Sequence, residues 1–250
     1  MNWLPLLGLA VTLALLVVVE RRIHRHLQGL MLLLTGDREI AVVLYALPLM
    51  PGILLHEVSH ALMARLLGVR VGRVCVRPRL AGKRIQLGFV PVEETDPLRG
   101  SLIGLAPLLT GSAVILLIGY QVFSIGGLRQ ALSEGTWFGL LSHFVDLLKA
   151  PDAWLWAYVI FTVSNTMLPS RSDRESWRPI VLFLVLAATL AWFAGFAPAI
   201  IERLQAPILL ATRWLTAMYG FTIAADLPFL IGMLLVEWGL GRVRGMRVEY

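Results

Sequence analysis

The chain is poor in the residues that soluble proteins turn toward water. Only 15% of its 250 residues are Asp, Glu, Lys or Arg, against roughly 25% in an ordinary soluble domain. Cysteine is almost missing: Cys75 stands alone, which excludes an internal disulfide framework and a thiolate zinc cluster and leaves it as a small apolar residue. There is no internal repeat and no low-complexity tract, and the length leaves little room for an appended soluble domain. Apolar residues fill the chain instead. They make up 58% of it, the composition of an integral membrane protein. The formal net charge of +6 comes from basic residues set between apolar runs. That distribution suits anionic lipid head groups and not nucleic acid.

Six apolar stretches reach the length of a membrane span, about 20 helical residues. They lie near 3–19, 40–64, 101–121, 153–169, 179–198 and 218–240. The first has neither a basic start nor a small-residue cleavage pattern, so it reads as a span and not as a signal peptide. Segment 65–99 carries eight basic residues (Arg65, Arg70, Arg73, Arg77, Arg79, Lys83, Arg84 and Arg99), and 170–178 carries three more. The positive-inside rule places both segments and both termini in the cytoplasm, with the basic 20–39 connector against the trend. Within 71–92, Val74, Val76, Ile85, Leu87 and Phe89 recur at period two on either side of Ala81-Gly82. This is the pattern of a β-hairpin, with Pro78 suited to an edge position. Segment 128–152 is mixed, and the tryptophans and phenylalanine near it (Trp137, Phe138, Trp154, Trp156) suit a membrane interface. The expected fold is an all-α integral membrane bundle of about six transmembrane helices with a small membrane-associated β-hairpin. Residues 1–39 form a first helix and connector, 40–178 a central unit with the hairpin, and 179–250 two further helices and a cytoplasmic tail.

The chemistry concentrates in His56-Glu57-Val58-Ser59-His60. Residues four apart share one face of a helix, so both imidazoles can reach one metal ion. From beside the first ligand, Glu57 can take a proton from water that the metal has acidified. Ionisable groups inside a span are costly and mark function, and Glu57 reads as the only acid deep inside one. Counted from position 40, His56 lies roughly 24 Å along the second span at about 1.5 Å per residue.

Catalytic zinc sites commonly take three protein ligands and leave one position open, so a third ligand is needed. Asp173 follows the fourth span, which runs in the same sense as the second and can bring it to the depth of His60. A solvated acid paired with Arg171 or Arg174 fits the spacing equally well. Asp226 and Glu237 on the last span are rivals, the former placed near the opposite membrane face. His24 and His26 read as part of a basic interfacial patch, and His143 as a surface histidine near Asp146.

The zinc pentapeptide resembles that of the site-2 protease family of intramembrane metalloproteases. Leu87-Gly88-Phe89-Val90 is similar to a Leu-Gly-Gly-Tyr-Val stretch in that family. Leu105-Ala106-Pro107-Leu108-Leu109-Thr110 is a degraded version of its second core motif. The family's third core helix has an Asn eight residues before an Asp, matched by Asn165 and Asp173. The resemblance covers roughly residues 40–178. It implies Zn2+ held by His56, His60 and Asp173, catalysis by Glu57, and a membrane-protein or peptide substrate held by Asn165, Leu87 and Gly88. The departures are Pro169, one place late; Ser172 and Arg174 around Asp173; and Thr110 in place of Asn. A zinc transporter and a catalytically silent binding relative are the alternatives. Transport fits poorly, because the first, third and fifth spans hold no acid or histidine. The oligomeric state is not legible.

Overall fold

A computed structural model of the chain describes residues 4–81, 84–123 and 152–244. His143, Trp137 and Phe138 lie outside them.

Seven helices and one strand pair are described. Helix α1 spans Leu4–Thr35 and ends at Gly36, whose φ of 69° is a conformation that favours glycine. Asp37 then caps α2 (Arg38–Ala46), accepting from the amides of Glu39 and Ile40 at 2.8 and 3.0 Å. A 3-10 turn at Leu47–Leu49 joins it to α3 (Met50–Leu66), with proline in the first turn. Asp96 caps α4 (Pro97–Gln121), which runs through an internal proline, Pro107. Helix α5 covers Ala153–Met167. It stops because Leu168, extended at ψ 133°, precedes Pro169. Helix α6 covers Trp177–Phe193, and Gly195 (φ 77°) turns the chain into α7, Ala197–Arg244.

Four helical segments are long and apolar enough to cross a membrane: Leu4–Thr35, Arg38–Leu66, Pro97–Gln121 and Ala197–Arg244. Helix α6 is apolar but shorter, and α5 is only 15 residues long. Two expected connectors are helical. The charged run from Glu20 to His26 continues α1, and 199–217 is the first part of α7. A run of charge reads as a loop in a sequence; here it sits on one continuous helix, because Arg21, Arg22 and Arg25 are exposed while Ile23 and Leu27 are buried.

Helices α1 and α7 run parallel. Gly8 lies beside Thr216, His26 bonds Glu237 at 2.7 Å, and Arg244 reaches the Leu33 carbonyl. Two spans crossed in the same sense cannot be the first and the last of six alternating crossings. The expectation of six alternating spans with both termini on one face therefore does not fit this pairing.

The centre of the fold is α3 packed against α4 and α5. Gly52 has no side chain, so the Thr162 carbonyl and the Thr166 hydroxyl of α5 lie directly on α3. Such small-residue contacts matter in lipid, where tails are as apolar as leucine and association rests on close packing and polar contacts. Leu16, Ile115, Ile160 and Met218 close one end of the bundle. Ile23, Leu49 and Phe161, stacked on Phe229, form a second core, and Ala64, Val69 and Ile103 a third.

Between α3 and α4, β1 (Arg79–Ala81) pairs antiparallel with β2 (Arg84–Gln86), with Leu80 opposite Ile85. Isolated bridges join Cys75 to Phe89 and Val71 to Val92. The register shifts by one residue between each of these pairings, so 71–92 is an interrupted ladder and not one regular hairpin. Pro78 and Pro91 cannot donate to it.

Candidate metal centre

His56 and His60 lie mid-way along α3 and bring their Nε2 atoms to 3.1 Å. Asp173, in the loop after α5, places Oδ1 3.3 Å from His60 Nε2 and Oδ2 3.7 Å from His56 Nε2. These three residues form a cluster that could hold a metal ion, the only such group among the described residues. Asp173 pairs with the two histidines and not with Arg174, whose Nε donates to the Ser170 carbonyl.

Hydrogen bonds at the far side of each ring set its tautomer. His56 Nδ1 lies 2.6 Å from the Thr166 carbonyl, and His60 Nδ1 lies 2.8 Å from the Ile103 carbonyl. A carbonyl only accepts, so each Nδ1 carries the proton and each neutral ring turns a bare lone pair inward. Two lone pairs and a carboxylate then face one another with no donor between them. That arrangement calls for a cation. Ligands at zinc distances on a tetrahedron are spaced about 3.3–3.6 Å apart, close to the three separations found here. The residues therefore fit a tetrahedral divalent ion with one position left for a fourth ligand.

Proline makes one of those carbonyls available. In a helix the Ile103 oxygen would accept from the amide four residues on, but Pro107 has none. His60 takes the vacated acceptor. At the end of α5, Pro169 likewise leaves the Asn165 carbonyl free, and His24 Nε2 bonds it at 2.9 Å. The next amide, Ser170, turns away to Asp173 Oδ2 at 2.7 Å, which leaves Thr166 for His56. One helix break thus supports one ligand and positions another.

Asp173 reaches the site because Gly104 lets its backbone lie on α4. A Cβ at Gly104 would stand 3.0 Å from the Asp173 carbonyl carbon. The Ser170 amide donates to Asp173 Oδ2 at 2.7 Å, which holds the carboxylate in place beside the two rings. Glu57 is buried at 7% exposure. Gly88 covers it so closely that a Cβ there would meet Glu57 Cγ at 2.7 Å and Cδ at 2.8 Å.

A cavity of about 1220 Å³ opens onto His56, His60 and Asp173, with Glu57, Leu87, Gly88 and Asn165 in its walls. It exceeds the roughly 300–1,000 Å³ of a small-molecule pocket. Asn165 donates from Nδ2 to the Phe161 carbonyl at 2.9 Å and to Ser164 Oγ at 3.1 Å. Its Oδ1 is buried without a partner among the described residues.

Several residues in or near the cavity take positions that the sequence did not suggest. Glu20, His24 and Tyr45 line the same cavity, and Tyr45 bonds His24 Nδ1 at 2.7 Å, so the His24 ring is engaged within the fold. Asp226 is fully buried and bonded to Ser164 at 2.9 Å. It lies beside the site helix and not near the opposite face, so Glu57 is not the only buried acid. Glu237 bonds His26 and does not join the metal cluster. The signal that could have found His24 and Glu20 was their spacing of four on one helix face.

Comparison with family models, curated proteins and solved structures finds no match to this chain.

Proposed function

We infer that the chain is an intramembrane zinc metalloprotease, hydrolysing peptide bonds of transmembrane or membrane-proximal substrates. One observation carries this reading. Two imidazole lone pairs and a carboxylate converge at tetrahedral spacing beside a buried Glu57, in a cavity walled by apolar helices. The site-2-protease-like motifs point the same way.

A bound divalent ion supplies Lewis acidity, polarising the scissile carbonyl and acidifying water. The chain's own residues do the rest. His56, His60 and Asp173 hold the ion, and the Thr166 and Ile103 carbonyls keep the two rings in register. Glu57 takes the proton from the attacking water and passes it to the departing amine. Because a helix protects its amides by internal hydrogen bonds, the substrate must unwind locally. The Leu87-Gly88 segment offers it a strand edge, and Asn165 offers an acceptor to its backbone. Leu87→Pro is then expected to impair cleavage of a helical substrate more than cleavage of a short extended peptide. Equal loss on both would remove the strand-addition step.

In this reading the chain crosses the membrane several times, with the 71–92 pairings at its surface. The basic 65–99 and 170–178 segments lie on the cytoplasmic side. With α1 and α7 paired in parallel, the two termini are expected on opposite faces.

A second reading, a divalent-cation transporter, gains from the polar groups that α1, α3, α5 and α7 all contribute: Glu20 and His24, the metal site, Asn165, and Asp226. It requires a second binding station, and only one three-donor cluster is found among the described residues.

The test is cleavage of a tagged single-span peptide in zinc-containing proteoliposomes. Wild type is expected to cut it and Glu57→Gln not to. Zinc flux across the vesicle, unaffected by Glu57→Gln and without cleavage, would replace the protease reading with transport.

A further inference from the structure

Resting on the protease reading, we propose that Glu20 forms a subsite for a basic side chain, so that preferred substrates carry a lysine or arginine near the bond that is cut. Glu20 lies half-way along α1, its side chain 14% exposed, in the wall of the cavity that holds the metal ligands. Among the described residues no hydrogen bond to its carboxylate is found, and His24 is its one ion-pair neighbour. His24 Nε2 is the nearest titratable nitrogen, 3.7 Å away, but its proton already goes to the Asn165 carbonyl at 2.9 Å. On its other side His24 is engaged by Tyr45. Arg21, Arg22 and Arg25 are exposed and none of them forms an ion pair with Glu20 among the described residues. A recessed carboxylate gains from a cation that can bond it, and the cavity is where a cation can enter.

Two further observations point to a donor-bearing ligand. Asn165, 2% exposed and in the same wall, leaves Oδ1 without a partner. This end of the cavity therefore offers acceptors without matching donors. The charge of the whole cavity is also opposite to that of the chain. The chain carries a net charge of +6, yet Glu20, Glu57, Glu93, Glu94, Asp173 and Glu175 face the cavity against one described arginine, Arg171. A divalent ion at the site would balance Glu57 and Asp173. Four carboxylates then remain against one guanidinium. Glu93, Glu94 and Glu175 are exposed and steer a cationic segment inward, while Glu20 is the recessed group that it reaches. Basic residues flank the cytoplasmic ends of membrane spans, so such a residue is available where a span meets this cavity.

The test uses the full-length zinc-loaded protein in nanodiscs, as Glu57→Gln so that binding is read without turnover. The probes are fluorescent single-span peptides of Leu and Ala, with lysine or glutamine placed in turn at five positions along one end. One lysine position is expected to bind about tenfold tighter than its glutamine counterpart, the worth of one charge-assisted hydrogen bond. Adding Glu20→Gln should erase that preference, and Glu20→Asp should keep part of it, with zinc content unchanged in both. Equal binding of lysine and glutamine peptides at every position, no binding of any peptide, or a lysine preference that survives Glu20→Gln overturns the proposal. Cleavage by the wild type separates the two readings. Cutting without lysine preference removes only the subsite. A lysine preference without cutting removes only the protease.

Discussion

The ring of His60 is anchored by the Ile103 carbonyl, 2.8 Å from its Nδ1, and that carbonyl is free because Pro107 cannot donate to it. A residue on α4 that is outside the cluster therefore decides which nitrogen of His60 turns toward His56 and Asp173. Pro107→Ala gives the Ile103 oxygen a competing amide while improving helix propensity. Zinc affinity, measured by competition with a chromophoric chelator, is expected to fall about 10–100-fold, the usual cost of losing such an outer partner. Unchanged affinity would mean that the His60 ring does not depend on this bond.

Gly88 and Gly104 make opposite claims on the site. Gly88→Ala pushes a methyl onto Glu57, so turnover is expected to drop by about 10²–10⁴, the range for a displaced general base, with zinc still bound. Gly104→Ala pushes on the Asp173 backbone, so zinc itself is expected to bind more weakly. Elemental analysis beside a cleavage assay distinguishes the two, and a reversed pattern would mean that the two loops have been assigned to the wrong residues.

Removing the metal leaves two imidazole lone pairs facing one another at 3.1 Å. Thermal unfolding in detergent is expected to shift downward with a chelator and to recover with zinc. The ion contributes about 2.7 kcal/mol when free zinc is at 100 times its Kd. In His56→Ala the chelator should have no effect. A chelator-sensitive Tm in that variant would place the stabilising metal elsewhere.

The site was more legible in the sequence than the scaffold was. His56, Glu57 and His60 are adjacent on one helix, so their spacing carries their geometry. Asp173 comes from another element: the sense of its span made it one candidate among others, and the resemblance raised it above them. The structure brings Asn165, Leu87 and Gly88 to the cavity as well. The scaffold was harder to read because hydropathy divides a helix wherever charges fall. Glu20 to His26 read as a loop, yet α1 passes through them with Ile23 and Leu27 facing inward. The pairing of α1 with α7 is a long-range contact that no local pattern encodes, and the same is true of Asp226 beside Ser164.

That pairing has its own test. Reporters fused to the two termini are expected to fall on opposite faces of the membrane, since parallel crossings carry Leu4 and Arg244 to different sides. Both reporters on one face would break the α1–α7 arrangement and restore an even number of crossings.

The central claim is that His56, His60 and Asp173 together hold one catalytic zinc. Metal content of the purified wild type, His56→Ala and Asp173→Ala after exhaustive dialysis tests it most directly. About one zinc per chain in the wild type, lost from His56→Ala and lost or sharply reduced in Asp173→Ala, is the expected result. A folded wild type without zinc, or zinc fully retained when either ligand is removed, would contradict it.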